Sequence, residues 1–466
     1  MSRETQYNAS NFNRPPRVRL PSLEGEQIEI PAPNPLPAAQ DQNMLMSLIP
    51  VLSMSGMALF YVLRADDASL ALPMVGIALL AFGLGIFAMR WRRRDQQRQK
   101  QEIQLNYLRL LDQIRTRLQA AQDAQIGILD ANYPLPADYL HIALSRDMRL
   151  WQRRPGDADF ASFRVGNGRV PSQVEIVPPP PDDTRSEVQL ALNLANSYRF
   201  LDDAPVTVPL TQLTGSAIGF CGRRSEVMRA VRAALCHLAV LHSPDDLRIY
   251  LAASGSQADE WRWLTWLPHS GLAQSSGGEL IAFDAAQIRN LMGGIAQLVD
   301  ERKAALGDGT TVQPIPTPHL LLIVDEGQFV KLEAVYPTLL REGAALGVSV
   351  LCIAPTFEAL PGDCAAVVQV GEGGTFQYVR THLSGGTTAR IDGRGCDGLS
   401  LNESEQIARA LASITASSLS SAERIPQRVD FLSMYGARRV EDLTLKLRAR
   451  WSRSIPDGIL PFPALL

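Results

Sequence analysis

His319-Leu-Leu-Leu-Ile-Val-Asp325-Glu326 is an apolar run that closes on two acids. A strand that is apolar at every position, not at alternate ones, is covered on both faces, as in a parallel sheet flanked by helices. The neighbouring segments fit that setting. Residues 216–221 read as a small apolar strand, 224–241 as an amphipathic helix and 247–252 as a strand. Residues 285–305 and 331–346 read as helices, and 348–354 as a second uninterrupted apolar strand. Alternation of this kind predicts a doubly wound α/β domain over residues 182–420, with the two acids at the carboxyl edge of its parallel sheet.

An apolar strand ending in an acid is the Walker B pattern. Asp325 would reach magnesium through water, and Glu326 would polarise the attacking water. The partner element is a glycine loop with Lys and Ser/Thr at the head of a helix. At that position stands Gly219-Phe-Cys-Gly222-Arg-Arg-Ser225-Glu226, and no GxxxxGK[ST] occurs anywhere in the chain. Gly222, Arg223, Arg224 and Ser225 are therefore the candidate phosphate-facing residues of an eroded loop. The helix N-terminus still favours an anion, while Glu226 opposes one. The expectation is an ATP–magnesium site of weak affinity or a purely structural remnant, with no catalysis by this domain alone.

Upstream, residues 44–63 and 70–89 are two runs of 20 residues without a charge. About 20 apolar residues cross a hydrocarbon core of roughly 30 Å. Only Arg64-Ala-Asp-Asp-Ala-Ser69 separates them, which predicts an antiparallel transmembrane hairpin. Arg3, Arg14, Arg17 and Arg19 precede it, and Arg90, Arg92, Arg93, Arg94, Arg98 and Lys100 come after it. Basic flanks stay inside, so both termini are expected on the cytoplasmic side of a bacterial inner membrane.

Residues 1–43 form a Pro-, Asn- and Gln-rich arm, expected to be extended with few buried groups. Residues 90–134 read as a helical stalk whose stripe Leu111, Ile114, Leu118, Ala121, Gln125 and Ile128 is coiled-coil-like. Residues 135–181 read as a small β-rich segment, and 421–466 as a linker. Trp261-Arg-Trp263-Leu-Thr-Trp266 is either an exposed partner surface or a clamp packed on the sheet. The net charge of −3 lacks the excess of a dedicated nucleic-acid binder. Five cysteines without a CxxC pair read as reduced thiols, and six histidines show no metal spacing.

Several motifs together resemble one family, the EccC/EssC (YukB-type) membrane ATPases of type VII secretion within the FtsK/SpoIIIE group. They are Asn13-Arg-Pro-Pro-Arg17 before the apolar runs, Tyr107-Leu-Arg-Leu-Leu-Asp112, and Leu150-Trp-Gln-Arg-Arg-Pro-Gly-Asp-Ala-Asp-Phe160 with Arg164-Val-Gly166. His242-Ser-Pro-Asp-Asp246, Trp261 to His269 and Arg341-Glu-Gly-Ala-Ala-Leu-Gly347 are also similar. The resemblance implies a membrane anchor, a stalk and a first ATPase-like domain with a degenerate site. It implies as partners other secretion components of the membrane, P-loop motor domains in trans or in a longer chain, WXG-type secreted proteins indirectly, membrane lipid and further copies of the chain. The chain stops about where the first intact motor domain of such proteins would begin.

Overall fold

The computed structural model describes residues 10–12, 14–17, 26–34, 53, 56, 57, 60, 68–180, 185–213, 215–270, 280–306, 316–325, 327–380 and 389–416. The chain divides into two units, the first comprising residues 1–10 and 14–415. Of the second, residues 11–13 and 416–466, only 11, 12 and 416 are described.

The described strands, in chain order, are β1 (Ser10–Phe12), β2 (Gln27–Glu29), β3 (Ser162–Pro171), β4 (Glu175–Val177), β5 (Phe200–Pro209), β6 (Ala217–Gly222) and β7 (Leu247–Ala252). They continue with β8 (Ile281–Ala282), β9 (His319–Asp325), β10 (Val348–Ala354), β11 (Cys364–Val370), β12 (Thr375–Arg380), β13 (Ala389–Cys396) and β14 (Ile414–Ala416). The helices are α1 (Ala68–Asn132), α2 (Tyr139–Ser145), α3 (Ser186–Ser197), α4 (Arg224–Leu241), α5 (Ala258–Trp261), α6 (Ala285–Leu306), α7 (Val335–Glu342) and α8 (Leu401–Ala412).

Ten strands form one sheet in the order β5-β3-β13-β12-β11-β6-β10-β9-β7-β8. From β11 through β8 every neighbour is parallel. From β11 back to β5 every neighbour is antiparallel. The α/β expectation holds in its coarse form, but the sheet is mixed. The reason lies in the connections. A parallel step needs a crossover, whereas β11 returns into β12 through a tight turn in which Gly373 and Gly374 take φ of 69° and 78°. The β-rich stretch before residue 181 also contributes here, because β3 pairs with both β13 and β5.

The two uninterrupted apolar strands sit where their sequences demand. β9 and β10 are buried at all seven positions each. On one face the sheet packs under α6 and α7 through Ile288, Met292, Ile295, Tyr336 and Leu339. α4 departs from the amphipathic expectation, since every residue from Ala230 to Leu241 is buried. A helix enclosed on all sides must have its last carbonyls satisfied by protein. Trp151 does this, donating its backbone N–H to Val240 and its indole N–H to Ala239 at 2.9 and 3.1 Å, and Arg153 N–H reaches Leu241.

α1 has 65 residues, a rod of roughly 100 Å. Its stripe is not left for a coiled coil. Tyr107, Leu111, Ile114 and Leu118 pack against Ile28, Ile30, Val174, Ala191 and Leu194 of the same chain. Within the arm, Ile28 and Ile30 are 2% and 1% exposed. β2 pairs with β4 in parallel, and Tyr107 donates its hydroxyl to the Pro31 carbonyl. The arm is polar over its length, and Gln27-Ile-Glu-Ile30 is too short for its alternation to stand out.

Among the described residues no helix is long and apolar enough to cross a membrane. The two expected spans find no support there. Nearly all of residues 44–63 lie outside the described residues. Residues 70–89 are helical, and of their side chains Leu80, Leu84, Ile86 and Phe87 are described, all exposed.

Candidate functional site

β6 lies between β10 and β11, and the crossover that leaves its carboxyl end runs through α4 to β7, past β10 and β9. The chain passes from β6 to α4 through Arg223 alone. A phosphate cradle needs several successive backbone N–H groups wrapped around one anion. A one-residue connector has no such run. Gly222 is required at the bend, because its φ is +136° and a Cβ there would lie 2.2 Å from the Val370 carbonyl oxygen. Arg223 and Ser225 are exposed, and Arg223 lies 3.5 Å from Glu372. Glu226 stands in the first turn of α4.

Arg224, the first residue of α4, turns to the acid at the end of β9. Its two terminal nitrogens donate to Asp325 Oδ1 and Oδ2 at 3.1 and 3.0 Å. The Asp325 side chain is fully buried and also accepts the Trp261 indole N–H at 2.8 Å. The same guanidinium holds Glu260, at 3.3 and 2.9 Å. Its hydrogen bonds to Asp325, and then to Glu260, outweigh its burial and push its pKa further above the ordinary range. The group is one cation spanning two carboxylates. This chain's own guanidinium lies directly against the Asp325 carboxylate. Glu326 lies outside the described residues. Of the residues expected to act together, Arg224 and Asp325 meet. Glu260 and Trp261 complete the group, although no sequence pattern points to them.

The tryptophan segment resolves toward packing. Trp261 and Trp263 are 0% and 1% exposed, and only Trp266 is open, with the Arg409 guanidinium 4.1 Å above its ring. The five cysteines are free, and among the described residues no group of His, Cys, Asp and Glu is arranged to hold a metal.

A second polar centre gathers segments distant in sequence at the foot of α1. Arg17 holds Asp159 with both terminal nitrogens at 2.6 Å and approaches Asp157 at 3.1 Å. Arg153, 0% exposed, lies 3.2 Å from Asp159 and donates to the Asn132 carbonyl at the end of α1. Burial opposes ionisation of Asp159, but the hydrogen bonds from Arg17 and the charges of Arg153 and Arg17 prevail and hold its carboxyl below the usual range. Arg14 pairs with Asp246. Arg164 pairs with Asp397 at 2.6 Å and donates to the Tyr133 carbonyl. Ala161 N–H donates to His242 Nε2, so the ring proton is on Nδ1, facing the Leu238 carbonyl. Burial, reinforced by Arg153, keeps His242 well below the ordinary histidine range.

No protein-family model matches the chain. Among curated proteins it is 32% identical over 333 residues to the ESX secretion system protein EccC of Thermomonospora curvata, covering 68% of this chain and 24% of that protein. It is 25% identical over 398 residues to EccC of Geobacillus thermodenitrificans (83% and 26%). It is 21% identical over 474 residues to YukB of Bacillus subtilis (99% and 30%). The chain thus spans 24% to 30% of the length of these relatives. A solved structure of Thermomonospora curvata EccC, ATPases 2 and 3 with a signal sequence peptide, aligns at a TM-score of 0.36 and 15% identity over 57% of this chain and 50% of that one, a likeness too slight to carry an argument.

Proposed function

We propose that this chain, whose curated relatives are the EccC, EssC and YukB proteins of type VII secretion, is the membrane-anchoring part of such a machine, coupling motor domains of the FtsK/SpoIIIE group to the membrane. Residues 44–63 and 70–89 form its two-span hairpin, with both termini on the cytoplasmic side. Its partners are the other membrane components of the system and further copies of itself, with WXG-type substrates engaged indirectly. The observation that carries the reading is α1, one helix running from the second apolar run into a packed base. The exposed Leu80, Leu84, Ile86 and Phe87 support it, since a row of open apolar side chains suits lipid better than water. Membrane fractionation tests it. The chain should resist extraction by alkaline carbonate and carry other secretion components through purification; release by carbonate overturns it.

The α/β domain serves this role as a body rather than an ATPase. The Arg224 bridge across Asp325 and Glu260 supports that reading. Calorimetric titration with Mg-ATP decides between them: the bridge predicts no heat, and saturable heat lost in Asp325→Ala would favour the nucleotide-binding alternative.

A further inference from the structure

From within the second apolar run onward, α1 keeps one face in order. Leu80, Leu84, Phe87 and Trp91 succeed one another at steps of four, three and four, all exposed, with the Phe87 and Trp91 rings edge to face at 5.7 Å. The same stripe continues at steps of three and four into Arg94 and Arg98, both exposed. From Leu80 to Trp91 the helix rises about 16 Å, roughly the depth of one leaflet's hydrocarbon. Trp91 falls where an amphipathic ring prefers the boundary. Six basic residues stand against Asp95 alone between positions 90 and 101, in a chain whose net charge is −3.

We propose that the segment from Arg90 to Lys100 is a binding surface for anionic phospholipid headgroups, with Arg94 and Arg98 as its centre and Arg90 at its edge. This rests on the anchoring reading and adds lipid selectivity to it. Charge complementarity selects the occupant. Guanidinium groups pair with phosphate through parallel N–H donors, and they stand on the face whose apolar part fixes their depth at the headgroup layer. Each cation near an anionic surface is worth up to about fivefold in association.

The test uses the full chain reconstituted in phosphatidylcholine vesicles carrying spin-labelled phosphatidylglycerol or spin-labelled phosphatidylcholine. The anionic probe should associate several-fold more strongly. The triple variant Arg90→Gln/Arg94→Gln/Arg98→Gln should bring the ratio near one, and salt at about 1 M should do the same by shortening the screening length. Equal association of the two probes with the unchanged chain overturns the proposal, as does a preference that the triple variant keeps. Helix content by circular dichroism confirms that the variant still folds. Release of the chain by carbonate overturns the anchoring reading itself, whereas a carbonate-resistant chain without probe preference overturns only this one.

Discussion

Arg224 and Asp325 stand 101 residues apart and share two hydrogen bonds at the carboxyl edge of the sheet. The acid is wholly buried, while the arginine keeps 37% of its side chain exposed. Removing the cation leaves a buried carboxylate with the Trp261 N–H as its remaining described donor. Arg224→Ala should destabilise the domain by about 3 kcal/mol, the low end for a buried charge losing its partner because part of the pair is solvated. Chemical denaturation measures it. The double variant Arg224→Ala/Asp325→Asn should recover part of the loss.

Gly222→Ala meets two obstacles, a left-handed φ and the Val370 carbonyl. The backbone strain alone costs on the order of 1–3 kcal/mol, and the clash adds to it. The expected outcome is a lowered thermal midpoint well beyond that of Gly362→Ala, where a Cβ would meet nothing within 4 Å. Equal midpoints for the two variants would sink this account of the bend.

Acid should loosen the body through its buried histidines. Burial lowers His269 to about 4 and His319 to about 3. In the unfolded chain each takes a proton near pH 6.5. The unfolded state then binds more protons, so stability falls as pH drops below about 6.5 and stops falling once the folded pKa is passed. His269 alone accounts for roughly 3 kcal/mol of that loss. Thermal midpoints between pH 7 and 4 test the slope, and His269→Gln should make it shallower.

The base of α1 should come loose by losing one side chain. Leu118 is 2% exposed within the cluster that joins α1 to the arm and α3. Leu118→Ala should cost roughly 2–5 kcal/mol of packing. Limited proteolysis should then cut near residues 26–34 sooner than in the parent chain, while Leu105→Ala, at an exposed position, leaves the cutting rate unchanged.

The fold is legible in the sequence where one physical demand governs each residue. β9 and β10 are buried at every position and apolar except at His319, Asp325 and Ser349, because both faces are covered. The antiparallel half is hidden, because Thr375–Arg380 and Ala389–Cys396 mix arginines and glycines with apolar residues at an outer part of the sheet. The candidate site is half legible. Asp325 announces itself at the end of an apolar run, but its partner is fixed by a crossover between non-neighbouring strands, which local pattern does not encode. Glu260 is masked by the tryptophans after it. The stripe on α1 is a buried face, as its spacing requires, but its partner is the arm and α3 instead of another copy of the helix. Spacing tells which side of a helix is covered and not what covers it.

Ile28 and Ile30 close over Tyr107, Leu111, Ile114 and Leu118, and Arg17 holds Asp159 where Arg153 meets the end of α1. The arm is thus a strap across the base of the rod: the two are covered by the same apolar contact and come loose together.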